Sequence, residues 1–103
     1  MTAPHCTDIV VFGGGIAGLW LLNRLRDEGY DAVLLEADGL GAAQTLASQG
    51  IIHGGLKYAL GGSVTDAANA IAALPARWRA CLDGTGEIDL SGCEVLSERY
   101  YMW

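Results

Sequence analysis

The sequence is poor in the residues that bind metals or form disulfides. Its three cysteines, Cys6, Cys81 and Cys93, are odd in number, widely spaced and without a C-x-x-C, and His5 and His53 are its only histidines. That argues against a disulfide framework and a dedicated metal site, and it fits reduced thiols in a cytoplasmic protein. Basic residues are scarce as well. Six Lys and Arg stand against twelve Asp and Glu, giving a formal net charge of −6. Without a basic cluster, nucleic acid and anionic membrane surfaces are poor partners. No apolar run is long enough to span a bilayer, and the opening MTAPHCTD lacks the basic-then-apolar pattern of a signal peptide. The expectation is a soluble, cytoplasmic protein with no integral membrane segment.

What is present is a globular composition. Half of the residues are apolar (51%) and 17% are charged, which is not the balance of a disordered chain. At 103 residues there is room for one small domain at most, with a core of limited size.

The chain is organised around Asp8 to Glu36, DIVVFGGGIAGLWLLNRLRDEGYDAVLLE. Ile9-Val10-Val11-Phe12 has the length and β-branched content of a buried parallel strand. Gly13-Gly14-Gly15-Ile16-Ala17-Gly18 follows at once and satisfies G-x-G-x-x-G. In such a turn Gly13 allows the sharp exit from the strand, Gly15 lets a pyrophosphate approach the backbone, and Gly18 lets the helix pack on the strand. The spacing predicts a helix from Ile16 to about Glu28, with Ile16, Leu19, Trp20, Leu22 and Leu25 on its apolar face. Its free N–H groups and the positive end of its dipole point at the phosphates. Gly29 sits where a helix stops, and Ala32-Val33-Leu34-Leu35 reads as a second strand. Glu36 ends it, where a carboxylate accepts hydrogen bonds from both ribose hydroxyls of an adenosine and repels a 2′-phosphate. The order and spacing together define an ADP-binding βαβ unit.

Beyond Glu36 the chain is rich in Gly and Ala and almost uncharged as far as Gly50. Small residues let backbone lie close to another backbone or to a ligand. Leu40, Leu46 and the alanines suggest a covered segment, and Ala42 to Ser48 can form a short helix facing the same phosphates. Ile51-Ile52-His53-Gly54-Gly55-Leu56-Lys57-Tyr58 then rises in extended form, with two glycines able to press against a flat object. Composition leaves two readings of His53 open: a core histidine with satisfied hydrogen bonds, or a cofactor-proximal one.

GGGIAGLWLLNRLRDEGYDAVLLEA followed by ASQGIIHGGLKY resembles the FAD-dependent oxidoreductases of the D-amino-acid oxidase class, with glycine and sarcosine oxidases, 2-hydroxyglutarate oxidase and the flavin-linked glycerol-3-phosphate dehydrogenases among them. The resemblance implies FAD as cofactor. It assigns Gly13, Gly14, Gly15, Ile16, Ala17, Gly18, Glu36 and Ala37 to the ADP half. It assigns Gln44, Thr45, Ser48, Gln49 and Gly50 to the loop along the phosphates, and Ile52, His53, Gly54 and Gly55 to the run beside the flavin ring. Some members of the class attach flavin through a histidine in a comparable run, which makes His53 a candidate attachment point. The likeness to the glycerol-3-phosphate dehydrogenases is closest in Ile52 to Tyr58; those enzymes commonly have Arg where Lys57 stands, and a loop richer in Ser and Lys than Gln44 to Gln49. The implied reaction is oxidation of a small amine, amino acid or hydroxy acid by hydride transfer to flavin. His53, beside the ring, is the only catalytic candidate.

In the remainder, Gly61-Gly62-Ser63 is a break, and Ser63 or Thr65 can cap the helix that follows. Asp66 to Leu74 is strongly helical, with Ala67, Ala70, Ile71 and Leu74 on one side. Pro75 either kinks this helix or starts a second one from about Ala76 to Leu82, with Trp78, Cys81 and Leu82 inward and Arg77 and Arg79 outward. Asp83-Gly84-Thr85-Gly86 reads as a turn. Ile88 to Leu90, Cys93 to Ser97 and Tyr100 to Trp103 have strand composition. An aromatic run at the end of the chain predicts the N-terminal portion of an FAD/NAD(P)-binding domain, from an enzyme of about 300 residues or more.

The fold expected is therefore α/β: a Rossmann-type FAD-binding βαβ unit, a helical segment and strands, incomplete as a domain. Two rivals stand beside an oxidoreductase that binds FAD and a small-molecule substrate. One is an NAD-dependent dehydrogenase, which the fingerprint and Glu36 also suit but which has no need of the His53-Gly54-Gly55 run. The other is a non-catalytic domain that packs or forms homo-oligomers through its C-terminal strands.

Overall fold

The computed structural model describes residues 3–55 and 66–99. The chain divides into two compact units, Met1–Gln49 and Gly50–Trp103.

The first unit is α/β. Strand β1 (Ile9–Phe12), helix α1 (Ile16–Asp27) and strand β2 (Ala32–Leu35) follow in order. The strands pair in parallel, with Ile9 opposite Ala32 and Phe12 opposite Leu35. Val11 and Ala32 are buried where the sheet faces the helix, as expected when a crossover helix covers one face of a parallel pair. The start of β1 is pinned from both sides. Asp8 N–H donates to the Asp31 carbonyl at 2.9 Å, and Asp31 N–H returns a 2.9 Å bond to Asp8 Oδ2. Thr7 Oγ1 donates to the same carbonyl at 2.5 Å.

Helix α1 ends one residue earlier than its spacing predicts, because Glu28 is the C-cap. Gly29 then takes φ +90°, and Tyr30 N–H donates to the Leu25 carbonyl at 3.0 Å. Those bonds close the last turn, and glycine adopts this left-handed conformation at little cost. Leu19, Trp20, Leu22 and Leu25 are half-buried as their spacing requires, but Ile16 is exposed. Ile16 is the first helical residue, at the rim of the glycine turn and past the part of the sheet that covers the others. Helix α2 (Gln44–Ala47) is a single turn, shorter than the Ala42 to Ser48 expected. Leu40 and Leu46 are exposed, not covered, since the described residues of the first unit form no further element to lie over that side of the loop.

In the second unit, helix α3 (Asp66–Leu82) runs through Pro75 as one element. Ile71, Leu74, Trp78 and Leu82 are half-buried and Cys81 is fully buried, whereas Ala70 is exposed. Asp83 to Gly86 forms the expected turn, with Gly84 at φ +74° and Thr85 N–H bonded to the Ala80 carbonyl at 2.9 Å. The chain then folds back on the helix end. Leu90 N–H donates to the Cys81 carbonyl at 2.9 Å, Ile88 is buried, and the Arg77 guanidinium grips Glu87 with two bonds, one of them Nη2 to Oε2 at 2.7 Å.

That closure overturns two predicted strands. Ile88 to Leu90 and Cys93 to Ser97 are turns and irregular chain. A strand needs a neighbour's ladder, and the described residues of this unit offer none. Leu90 and Cys93 instead spend their N–H groups on Cys81 and Leu90. The strand expected at Tyr100 to Trp103, the break at Gly61 to Ser63 and the caps at Ser63 or Thr65 lie outside the described residues, as do Leu56, Lys57 and Tyr58. Among the described residues no helix is long and apolar enough to cross a membrane.

Candidate nucleotide-binding site

Between β1 and α1 the glycines do distinct things. Gly13 leaves the strand at φ +99°, and its N–H extends the parallel ladder by one bond to the Leu35 carbonyl, 2.9 Å. A Cβ on Gly18 would overlap the Gly13 carbonyl oxygen, so the helix lies against the turn with no space for a side chain. Gly15 is the N-cap of α1, in extended conformation and with no capping side chain of its own. A Cβ there would meet only Thr45 Oγ1, at 3.3 Å. Gly14 is buried, and a Cβ on it would lie 2.7 Å from Leu40 Cδ2 and 3.1 Å from Glu36 Oε2.

Glu36 follows β2 and turns its carboxylate back to this loop. Oε2 accepts the Gly14 N–H at 2.5 Å, while Oε1 accepts the N–H groups of Ala37 at 2.8 Å and Asp38 at 3.0 Å. The Gly14 bond first, then that from Asp38, holds this carboxyl below the usual glutamate range. The group is thus an anion placed at the mouth of the turn. A shallow cleft of about 340 Å³ opens beside it, lined by Phe12, Gly13, Leu35, Glu36 and Ala37.

The segment after Glu36 crosses over the turn. Gly41 N–H donates to the Gly14 carbonyl at 2.7 Å, and the Thr45 hydroxyl accepts the Ile16 N–H at 3.1 Å. The N–H groups of Gly15, Ala17 and Gly18 have no acceptor among the described residues. They point the way helix N-termini do when they receive an anion. The donor set and the missing side chain at Gly15 fit the pyrophosphate of a dinucleotide, and the Glu36 carboxylate keeps lone pairs for ribose hydroxyls.

The residues singled out by sequence therefore separate into two groups. Gly13, Gly14, Gly15, Ile16, Ala17, Gly18, Glu36, Ala37 and Thr45 come together at one turn. Gln44 is exposed on α2, Ser48 donates its hydroxyl to the Thr45 carbonyl at 3.0 Å, and Gln49 is exposed beyond it. Gly50, Ile52, His53, Gly54 and Gly55 belong to the second unit. His53 is exposed there. A Cβ on Gly54 would sit 3.5 Å from the Pro75 ring. Sequence reading passed over Leu40 and Gly41, whose contacts to Gly14 close the loop, and the apolar cleft walls Phe12 and Leu35. Gly41, at φ +73°, carried the available signal: a glycine beside a lone leucine in a small-residue loop.

A parallel βαβ unit with open N–H groups at its glycine turn and an acid after the second strand defines a dinucleotide-binding protein. More narrowly, the chain belongs to the FAD-dependent oxidoreductase (DAO) family, whose model matches residues 8–97. It is similar to the probable FAD-dependent oxidoreductase PA4991 of Pseudomonas aeruginosa, with 60% identity over 97 residues, 94% of this chain and 25% of that protein. The crystal structure of PA4991 superposes with a TM-score of 0.81 at 52% identity, over 95% of this chain and 24% of that one. The aerobic glycerol-3-phosphate dehydrogenase of Escherichia coli is 41% identical over 51 residues, 50% of this chain and 10% of that enzyme. The D-erythritol 1-phosphate dehydrogenase of Brucella abortus is 36% identical over 58 residues, 56% of this chain and 12% of its length. The chain thus spans about a quarter or less of the relatives it matches.

Proposed function

We propose that this chain forms the ADP cradle for FAD in an oxidoreductase that oxidises a small substrate at a C–N or C–O bond. The observation that carries the reading is the open donor set of Gly15, Ala17 and Gly18 next to the Glu36 carboxylate. When bound, FAD supplies a two-electron acceptor for hydride removed from the substrate. The residues of this chain bind and orient. Gly15 leaves room for the pyrophosphate, α1 meets its charge, and Glu36 holds the ribose while disfavouring a 2′-phosphate. His53, Gly54 and Gly55 are proposed to lie along the ring. Relatives named for the dehydrogenation of glycerol-3-phosphate and D-erythritol 1-phosphate favour a C–O substrate over an amine. The free thiols of Cys6, Cys81 and Cys93 support a cytoplasmic setting.

The test is the visible spectrum of the purified full-length protein, followed by the same measurement on Gly15→Val. Flavin absorbance in the parent and its loss in the variant are expected. A colourless parent that binds NAD would refute the reading in favour of a nicotinamide enzyme. A Gly15→Val protein that stays yellow would refute the assignment of the turn.

A further inference from the structure

Helix α3 carries a proline well inside its length, where a helix is weakened by one. Pro75 has no N–H, so the Ile71 carbonyl forgoes the bond that position 75 would otherwise donate. The ring, however, has a partner outside the helix. A Cβ on Gly54 would lie 3.5 Å from Pro75 Cγ, and apart from the chain neighbours of Gly54 no other atom of the described residues comes within 4 Å of that point. The chain turns immediately after this contact, with Gly55 at φ +76°. Ile51, Ile52, His53 and Gly54 are exposed, whereas Gly55 and Pro75 are half-buried. The run thus rests on the helix rather than on a packed set of its own side chains. Just past the proline the helix is itself anchored. Trp78 is half-buried and Cys81 fully buried. The Cys81 carbonyl accepts the Leu90 N–H at 2.9 Å, and Arg77 Nη2 donates to Glu87 Oε2 at 2.7 Å.

We propose that Pro75 is a positioning residue for the His53-Gly54-Gly55 run: its ring is the stop against which Gly54 rests, and through the run it sets how the backbone lies against the flavin. The inference rests on the place beside the ring proposed above for that run, and adds the element that fixes it. Consecutive glycines have wide conformational freedom and do not hold a position by themselves. A site is held more closely by groups standing on a rigid element than by a loop alone. Proline suits such a stop because its ring keeps Cγ close to the backbone, with no free side-chain rotation to absorb a displacement. The helical bond forgone at Ile71 is then the counterpart of a fixed contact at Gly54.

Two substitutions in the full-length protein separate this role from a merely structural one. Pro75→Ala removes Cγ and returns the N–H, whereas Pro75→Val returns the N–H but keeps a carbon near the place of Cγ. Hydrogen exchange at the Gly54 and Gly55 amides and the position of the flavin absorption bands are measured in each. Exchange at both amides should rise about fourfold in Pro75→Ala, the equivalent of one lost methylene contact. The flavin bands should shift with it, and Pro75→Val should return both readings to those of the parent. Equal behaviour of the two variants would assign the effect to the helical bond at Ile71 and overturn the proposal. Unchanged exchange in Pro75→Ala, or faster exchange with unmoved bands, would overturn it too. A parent that carries no flavin would instead sink the reading of the run beneath it, and the positioning role with it.

Discussion

At Glu36 one carboxylate gathers three backbone N–H groups, from Gly14, Ala37 and Asp38. Those bonds favour the ionised form and hold its pKa below the ordinary value. The contribution to stability is therefore complete above the ordinary carboxylate range and is lost as pH falls through the lowered folded value. Glu36→Gln cannot satisfy both sets of N–H groups, since its amide nitrogen accepts nothing. The parent's denaturation midpoint should fall below about pH 4.5 more steeply than that of Glu36→Gln, and parallel pH profiles would refute the account. The glycines separate in the same manner. Gly18→Ala drives a Cβ into the Gly13 carbonyl and should destabilise by about 1–3 kcal/mol. Gly39→Ala meets open space and should change stability by less than about 0.5 kcal/mol. Denaturant melts of the two variants check the contrast. Gly13, Gly15, Gly18 and Glu36 were legible in sequence because their spacing reports a local turn. Leu40 on Gly14 and Thr45 on Ile16 were not, since contacts 26 and 29 residues apart depend on how an aperiodic loop crosses back.

Among the elements, β1, α1 and β2 were readable because each carries its own period and its own stop, such as Gly29 at φ +90°. The strands expected at Ile88 to Leu90 and Cys93 to Ser97 failed for a reason composition does not hold. Strand formation belongs to a pair, and here the turn after α3 takes up the backbone groups first. Continuity of α3 through Pro75 was equally undecidable from sequence. Proline lacks the N–H that would bond the Ile71 carbonyl one turn back. Pro75→Ala should restore that bond and raise stability by about 1–3 kcal/mol, read as a later thermal midpoint. An unchanged or lower midpoint would mean that the ring's packing by Gly54 outweighs the lost bond. At the other end of the helix, Gly86 lies so close to Cys81 that a Cβ would come within 2.6 Å of its sulfur. Gly86→Ala should therefore expose the Cys81 thiol, now fully buried, to a thiol reagent that leaves it unlabelled in the parent.

For the molecule as a whole, the buried apolar residues among those described are few: Val11, Ala32, Cys81 and Ile88. Phe12 and Leu46 are each 79% exposed and Leu96 is 89% exposed, which is more than a small self-contained core leaves to water. The 103-residue chain expressed by itself should bind a hydrophobic dye, self-associate in sedimentation, hold FAD weakly and show no turnover. A compact monomer with stoichiometric flavin would count against this. The division at Gln49–Gly50 has a consequence of a different kind. All the parts of the nucleotide turn, from Gly13 to Thr45, lie on one side of a single peptide junction, and the His53-Gly54-Gly55 run lies on the other. A gene crossover at that codon would exchange one while leaving every contact within the other intact. Chimaeras spliced there between this protein and PA4991 should fold and take up cofactor like their parents, and chimaeras that aggregate or stay colourless would show that the two halves must be inherited together.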